Sequence, residues 1–212
     1  FLYGLPDEEL FFLAWTTTPW TLPSNTALAV GGNVNYVKVK TFNPYTYKPV
    51  SVILAKDLFG KYFKEEYAGL SLENYQVGLK EIPYEVVREL TGKDLEGIRY
   101  EQLLPYAQPT DGDAFRVIIG DFVTTEDGTG IVHIAPSFGA DDMRVAKQNG
   151  IGSLTLVNRQ GKFTEEVTDF AGEYVKADYY TVEEQDAELK RQQAKYTEIS
   201  LNKFMSADEQ IT

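Results

Sequence analysis

The sequence contains no cysteine and a single histidine, His133, among its 212 residues. Zinc sites built from Cys and His, iron–sulfur clusters, a cysteine nucleophile and a disulfide-built secreted module are therefore excluded. A chain without cysteine fits a reducing compartment, and we expect a cytoplasmic location. No apolar run approaches the roughly 18 residues of a membrane span, so no membrane association is predicted. The chain begins at Phe1 without the pattern of a targeting leader, and we expect a domain excised from a larger protein.

Basic residues are also scarce, because 20 Lys and Arg face 32 Asp and Glu, which gives a formal net charge of −12. Such a composition does not suit a protein that grips duplex nucleic acid through its phosphates, since that takes many basic side chains. The length fits one large domain or two small ones. We interpret residues 1–212 as a single monomeric domain, with a looped excursion at 68–112 and a peripheral helix and tail at 181–212.

Short apolar runs rich in β-branched and aromatic residues dominate the chain, and they predict strands. Helices are fewer; acidic residues open one at 141–149, and a capping box of Thr181 and Glu184 precedes another. The pattern favours a mainly β fold with α insertions, arranged as a closed or nearly closed barrel. The predicted strands 115–119 and 131–135, on either side of Glu126-Asp127-Gly128, are expected to pair as a hairpin. The predicted strands are 11–15, 27–30, 36–40, 50–55, 115–119, 131–135 and 154–157, and the predicted helices are 56–67, 141–149 and 182–195.

Polar side chains collect at the end of the first predicted strand, in WTTTPWTLPSN at residues 15–25, the threonine segment. The strand runs into three threonines and is stopped by Pro19. A residue before proline is pushed to extended geometry, so Thr16 and Thr18 should face one way and Thr17 the other. Hydroxyl groups at a strand end can hold a water or an ester oxygen. The alternative is an ordinary strand exit, since threonine is a good strand residue.

A second candidate is GTGIVHIAPSFGADD at residues 128–142, the histidine segment. A strand delivers His133, a loop with Pro and Gly follows, and a helix starts with Asp141 and Asp142. A histidine at a strand end and an aspartate at a helix start can meet across one cleft. The alternatives are a core histidine bonded to the backbone and aspartates that only complement the helix dipole. The strand, the loop and the acidic helix start occur together, and this combination keeps the hypothesis of a functional site in play.

Other catalytic motifs are missing from the sequence. It has no G-x-S-x-G, no P-loop and no G-x-G-x-x-G. Asp127-Gly128-Thr129-Gly130 is not the Asp-Thr-Gly of aspartic proteases. The acidic run at 183–188 is explained most simply as a solvated helix face.

Together, the two segments resemble the editing domain that is inserted in isoleucyl-tRNA synthetases. The threonine segment is similar to the threonine-rich strand of that domain, and the histidine segment is similar to the second half of its pocket, in the same order. The sister valyl and leucyl enzymes carry Arg-Pro after the paired threonines, whereas this chain has Thr18-Pro19, which favours the isoleucyl branch. The resemblance covers most of the chain and fades towards its C-terminus. Neither ATP-site signature of a complete class I synthetase is present, so the resemblance implies an editing domain that does not aminoacylate.

The resemblance implies a closed six-stranded β-barrel with peripheral helices. It also implies hydrolysis of valine wrongly esterified to isoleucine tRNA, with valyl-adenylate as a further substrate. One methylene group is worth only about 1–3 kcal/mol in a hydrophobic pocket, for which the isoleucyl enzymes are themselves the usual example, so the synthetic site mischarges valine. A second, smaller pocket must therefore admit valine and reject isoleucine.

The resemblance gives catalytic roles to four residues. Asp142 matches the aspartate that binds the α-ammonium of the substrate, and a charge-assisted hydrogen bond of that kind is worth about 1.5–3 kcal/mol. Thr17 and Thr18 match positions that contact the substrate and the attacking water. His133 matches a wall of the pocket that also positions the ester.

Substrate binding involves three more residues besides Asp142 and His133. Thr16 lies beside the other threonines, Trp20 matches a second pocket wall, and Asn25 matches a residue that supports the site. None of these residues is a convincing general base, so we expect catalysis by water positioning and ester polarisation, helped by a hydroxyl of the terminal ribose. No metal or cofactor is needed.

The implied partners are the 3′ end of aminoacylated isoleucine tRNA, the valine moiety or valyl-adenylate, and the rest of the parent synthetase. Since only the single-stranded 3′ end should touch this acidic chain, we expect weak tRNA binding with a shallow salt dependence. Two alternatives stay open, a binding module that docks the aminoacylated end without turnover and an unrelated β domain. The candidates for phosphate contacts, by position alone, are Arg144, Lys147, Arg159 and Lys162.

Overall fold

The computed structural model describes residues 9–197 and 201–211. Phe1 and part of the predicted tail, at 198–200 and 212, lie outside the described residues. The described chain forms two compact units whose segments alternate along the sequence. The first unit comprises residues 9–16, 27–100 and 115–134, and the second comprises residues 17–26, 101–114, 135–197 and 201–211.

The seven strands of the described residues all lie in the first unit, in two mixed sheets. They are β1 (Glu9–Phe12), β2 (Ala27–Val30), β3 (Asn35–Phe42), β4 (Pro49–Ala55), β5 (Glu85–Thr91), β6 (Arg116–Ile119) and β7 (Ile131–Ile134). One sheet has the order β1-β4-β3-β5 and the other has the order β6-β2-β7. β1 runs parallel to β4 and β2 runs parallel to β6, whereas the other neighbours are antiparallel.

The expected closed six-stranded barrel is wrong. The ladders end at β1 and β5 in one sheet and at β6 and β7 in the other, and no ladder in the described ranges joins the two sheets. Isolated bonds link them instead. The Ala55 amide donates to the Thr129 carbonyl over 2.8 Å. The Tyr36 hydroxyl donates to the Gly130 carbonyl over 2.7 Å and accepts from the Gly31 amide over 2.9 Å.

The edge strand β5 shows why the four-stranded sheet stops. Most of its side chains are exposed. They include Glu85, Arg88 and Glu89, and charged side chains on an edge discourage further strand pairing. β5 lies in the looped excursion at 68–112, where short strands were expected but no bounds were predicted, because its exposed Val86 and Val87 break the alternation that marks a half-buried strand.

The predicted hairpin between 115–119 and 131–135 is also wrong. β2 lies between β6 and β7 and forms a ladder with each of them. All four residues of β2 are buried, as expected for a central strand with neighbours on both sides. The turn signal at Glu126-Asp127-Gly128 therefore lies in a connection between two strands that do not pair.

Apolar side chains from both sheets form the core of the first unit. Tyr36, Ile53 and Leu95 are completely buried there. The predicted helix 56–67 is broken into shorter pieces, because the chain becomes extended at Phe63 and Lys64, whereas Gly60 lies within a helical piece. The helical elements of this unit are α1 (Phe59–Tyr62), α2 (Gly92–Leu95) and the 3-10 turns Lys56–Leu58, Glu65–Tyr67 and Leu72–Asn74.

The second unit contains α3 (Ala140–Gln148), α4 (Val182–Lys195), α5 (Ala207–Ile211) and the 3-10 turns Pro19–Ser24 and Ala177–Tyr179. The predicted helices 141–149 and 182–195 are confirmed as α3 and α4. The capping box of α4 forms as expected, since Thr181 and Glu184 each accept the other's amide, over 3.2 and 2.7 Å. No helix in the described part of the chain is long and apolar enough to cross a membrane.

The predicted strand 154–157 does not form. Val157 makes only an isolated bridge to Phe163. Leu154, Leu156 and Val157 are nevertheless buried, in the apolar core of the second unit. The apolar run at 154–157 therefore predicted burial correctly but predicted the wrong backbone conformation.

Candidate functional site

The predicted strand 11–15 that runs into the threonine segment is wrong, because β1 ends at Phe12 and Trp15 makes only an isolated bridge. The prediction that Thr18 is not helical before Pro19 is confirmed. Thr18 has φ −131° and ψ 68°, outside the helical region, and Pro19 opens the Pro19–Ser24 turn. The Thr18 carbonyl accepts both the amide of Thr21, over 3.0 Å, and its hydroxyl, over 2.8 Å. Thr17 is exposed, whereas Thr16 and Thr18 are half-buried, which agrees with alternating directions. The turn thus leaves Thr17 open to solvent.

Trp20 brings the two segments together within the second unit. Its ring meets Phe138 of the histidine segment edge to face, with ring centroids 5.1 Å apart. Both rings lie against the apolar core of that unit. The Trp20 indole Nε1 is sheltered from solvent and finds no hydrogen-bond partner among the described residues.

The buried end of the Pro19–Ser24 turn is tied to its own unit. The Asn25 amide donates to the Leu22 carbonyl over 3.0 Å and closes the turn. Asn25 is only 5% exposed. The Ser24 hydroxyl accepts the Leu156 amide over 3.3 Å. Asn25 is therefore placed as a support for the turn.

His133 lies in the first unit, on β7 opposite Leu28 of β2. It is 8% exposed, and burial lowers its pKa to about 4 from the ordinary value of 6.5. The side chain is therefore neutral at neutral pH. The two segments also meet in this unit, because Trp15 forms an isolated parallel bridge with Val132.

Gly130, at the start of the histidine segment, occupies a position that only glycine fits. Its φ is +73°, and an added Cβ would lie 2.4 Å from the Cβ of Ala55. The Tyr36 hydroxyl fixes its carbonyl from the other sheet. The glycine thus sets the path of the chain into β7.

Asp142 is held in the first turn of α3 in the second unit. Its Oδ2 accepts the Ala135 amide over 2.8 Å. Burial raises the pKa of this half-buried carboxyl, against the lowering effect of the Ala135 amide, and the neighbouring charge of Asp141 raises it further. Gly139 leaves room for the carboxyl group, since a Cβ there would lie 2.9 Å from the Asp142 Cγ. The loop before α3 therefore wraps around the carboxylate and orients it.

The four candidate phosphate contacts also lie in the second unit. Arg144 pairs with Asp141 over 3.2 Å. The Lys162 Nζ lies 4.2 Å from the centre of the Tyr174 ring. Lys147 and Arg159 are exposed. Two of the four cations are therefore engaged with other side chains.

Of the predicted site residues, the structure places Thr17, Thr18, Trp20, Asn25 and Asp142 in the second unit and Thr16 and His133 in the first. Sequence reasoning missed Asp208 on α5, whose Oδ1 accepts the Trp20 amide over 2.8 Å. The five residues of α5 are too few for a hydrophobic period, and a lone acidic residue carried no signal. The described residues contain no group of three His, Asp or Glu placed to hold a metal ion.

Comparison with known proteins matches nearly the whole chain to part of a larger enzyme. The isoleucine–tRNA ligase of Cytophaga hutchinsonii is 59% identical over 215 residues, which cover 97% of this chain and 19% of that protein. The isoleucine–tRNA ligase of Bacteroides fragilis is 53% identical over 182 residues, which cover 86% of this chain and 15% of that protein. The chain thus spans less than a fifth of these relatives. No protein-family model matches it.

Solved structures give weaker similarities. The editing domain of the P. falciparum cytosolic leucyl-tRNA synthetase is 15% identical, with a TM-score of 0.49, over 65% of this chain and 45% of that one. The structure of GlLeuRS-CP1 is 21% identical, with a TM-score of 0.48, over 68% of this chain and 45% of that one. Similarities at this level support no inference on their own.

Proposed function

We propose that this chain is the hydrolytic editing domain of an isoleucyl-tRNA synthetase, because it is homologous to one segment of those enzymes. Its substrate is valine esterified to the 3′ end of isoleucine tRNA. One observation carries the proposal. The Trp20–Phe138 contact joins the threonine segment to the loop that orients Asp142, so substrate-binding residues distant in sequence share one unit.

Asp142 binds the α-ammonium of the valyl group. The Ala135 amide holds Oδ2, and the second carboxylate oxygen serves the ammonium. Burial strengthens such a pair because fewer waters compete for either charge. A charge-assisted hydrogen bond of this kind contributes about 1.5–3 kcal/mol. Burial raises the pKa of Asp142 because it disfavours the charged carboxylate. The positive charge of a bound ammonium group offsets this cost.

Trp20 supplies a wall that limits the size of the amino-acid side chain, and the family resemblance gives His133 the same role. Trp20 is rigidly packed against Phe138, and His133 is neutral because its pKa is about 4. A neutral ring suits an apolar wall. Forcing one extra methylene group against a packed wall costs about 1–3 kcal/mol, which is the basis for rejecting isoleucine.

Thr17 and Thr18 position the attacking water, with Thr16 beside them. The water oxygen adds to the ester carbonyl, the bond from the carbonyl carbon to the ribose oxygen breaks, and the water proton passes to that oxygen. Valine and uncharged tRNA leave. The rate acceleration comes from positioning the water and polarising the ester carbonyl, because threonine does not act as a general base.

The proposed partners follow from this substrate. The chain meets the single-stranded 3′ end of the tRNA, and the rest of the synthetase holds the tRNA body. Valyl-adenylate, which carries the same ammonium and side chain, is a second substrate.

The test compares Asp142 with its neighbour Asp141. Valine release from Val-tRNA is measured for the parent chain, Asp142→Asn and Asp141→Ala. Asp142→Asn keeps an oxygen for the Ala135 amide but loses the charge, so valine release should fall by about tenfold or more. Asp141→Ala also removes one negative charge from the first turn of α3, and it should release valine at close to the parent rate. An Asp142→Asn variant with parent activity would overturn the ammonium role.

A further inference from the structure

The Pro19–Ser24 turn that carries Trp20 lacks a cap from its own residues. Thr18 precedes the turn and makes no side-chain cap hydrogen bond to it. The first amides of any helical turn have no partner inside the turn and need an outside acceptor. For the Trp20 amide that acceptor is the Oδ1 of Asp208, at 2.8 Å, from a residue 188 positions later in the chain.

Asp208 is itself firmly placed in the second unit. Ala207 beside it is fully buried in the core of that unit, and the Asp208 amide donates to the Val175 carbonyl over 3.2 Å. Gln192 of α4, 1% exposed, donates to the Met205 carbonyl over 2.7 Å and accepts the Met205 amide over 3.1 Å. The carboxylate of Asp208 is therefore presented from a well-anchored segment.

We propose that Asp208 is a positioning residue that fixes Trp20 as the wall of the valine pocket and so sets the discrimination between valine and isoleucine. The proposal rests on the proposed function of the domain. Asp208 does not touch the substrate, and it acts through the backbone of Trp20.

Charge and geometry both support this role. A carboxylate that accepts a backbone amide makes a stronger bond than a neutral acceptor, and removing it leaves the amide without a partner. Once its backbone is released, the Trp20 side chain is held by apolar contacts alone, with Phe138 and with the core of the second unit, and these have little directional preference. A wall that is free to shift lowers the cost of fitting the extra methylene group of isoleucine.

The test uses three variants of Asp208 in the full chain. Asp208→Asn keeps a neutral acceptor oxygen, Asp208→Ala removes the acceptor, and Asp208→Glu keeps the charge but lengthens the side chain. Asp186→Ala is the matched control, because it removes an exposed carboxylate from α4 of the same unit. Every protein carries Trp15→Phe, so that Trp20 is the one remaining tryptophan fluorophore.

The readouts are the ratio of Val-tRNA to Ile-tRNA deacylation rates, the emission maximum of Trp20 and the melting temperature. We expect Asp208→Ala to lower the rate ratio by about tenfold and to shift the Trp20 emission to the red. Asp208→Asn should restore most of the ratio, and Asp186→Ala should keep the parent ratio. If Asp208→Ala does not fold, Asp208→Glu takes its place in the test. We expect the folded Asp208→Glu protein to have a lower ratio of Val-tRNA to Ile-tRNA deacylation rates than the parent.

A lowered melting temperature with an unchanged rate ratio and emission maximum, in Asp208→Ala or in folded Asp208→Glu, would show a merely structural residue and overturn the proposal. Failure of the proposed function looks different. In that case the parent cleaves neither ester and does not bind a non-hydrolysable valyl-adenosine amide. The specificity role then falls with it, whatever the Trp20 emission shows.

Discussion

At the scale of single residues, burial favours the neutral form of both titratable side chains in the proposed site. It lowers the pKa of His133 to about 4 and raises the pKa of Asp142 above 3.8. The consequences differ. A neutral His133 suits an apolar wall. Asp142 must be ionised to bind an ammonium group. Its burial therefore favours binding of a cation but lowers the stability of the folded chain when no cation is bound.

The pH dependence of stability should reveal the buried histidine. Unfolded His133 takes up a proton below pH 6.5 and folded His133 only below about pH 4. The unfolded state therefore binds more protons in this window, and the free energy of unfolding falls as the pH falls through it. The loss contributed by this one group is up to about 3 kcal/mol.

The measurement is urea unfolding of the parent and of His133→Gln at several pH values between 7 and about 4.5. The difference between the two proteins isolates His133, because Asp142 and the other carboxyl groups titrate in both. The parent should lose more stability than the variant on acidification. A pH-independent difference would contradict a buried neutral histidine.

At the scale of elements, local patterns predicted several strands and helices but failed at 154–157 and 56–67, and strand pairing was not predicted correctly. β2, β3 and β4 were predicted because their apolar runs are local, and α4 was predicted because Thr181 and Glu184 mark its start. The barrel and the 115–135 hairpin failed because pairing depends on residues far apart in the sequence. β2, which separates β6 and β7, lies about 90 positions before β6 and more than about 100 before β7.

The candidate site divides in the same way. The threonine and histidine segments were recognised from their own residues, and the relatives confirm that the chain is homologous to one segment of isoleucine–tRNA ligases. Asp208 was missed because its role depends only on where the chain brings α5. The catalytic roles of Thr17, Thr18, His133 and Asp142 stay predictions.

Gly130 offers a test of how the histidine segment is built. Gly130→Ala places a Cβ 2.4 Å from Ala55 and forces alanine to a φ of +73°. We expect a loss of about 2–4 kcal/mol of unfolding free energy. The control is Gly69→Ala, at an exposed glycine with no atom within 4 Å of an added Cβ, which should change stability by less than about 0.5 kcal/mol. Equal urea midpoints for the two variants would contradict this picture.

At the scale of the whole molecule, the net charge of −12 limits how the chain meets nucleic acid. Of the four candidate phosphate contacts, Arg144 is paired with Asp141 and Lys162 packs on Tyr174. We therefore expect long-range attraction between this chain and tRNA to be weak. The rest of the synthetase, in this proposal, supplies the affinity for the tRNA body.

Binding of isoleucine tRNA to the chain alone should be weak and only slightly dependent on salt. We expect a dissociation constant above about 1 μM at physiological salt and a log–log salt slope smaller in magnitude than about 2. Fluorescence anisotropy with end-labelled tRNA gives both quantities. A tRNA shortened by its 3′-terminal nucleotides is the control and should bind more weakly still. A submicromolar affinity or a steep slope would contradict contact through the 3′ end alone.

The most direct measurement is single-turnover deacylation by the unchanged chain at high concentration, with isoleucine tRNA carrying either valine or isoleucine. We predict release of valine at least about tenfold faster than release of isoleucine, which stays near its rate in buffer. Cleavage of both esters at equal rates would contradict a pocket that excludes isoleucine. Release of neither ester, with a valyl-adenosine amide still bound, would contradict hydrolysis and leave a domain that only docks the aminoacylated end.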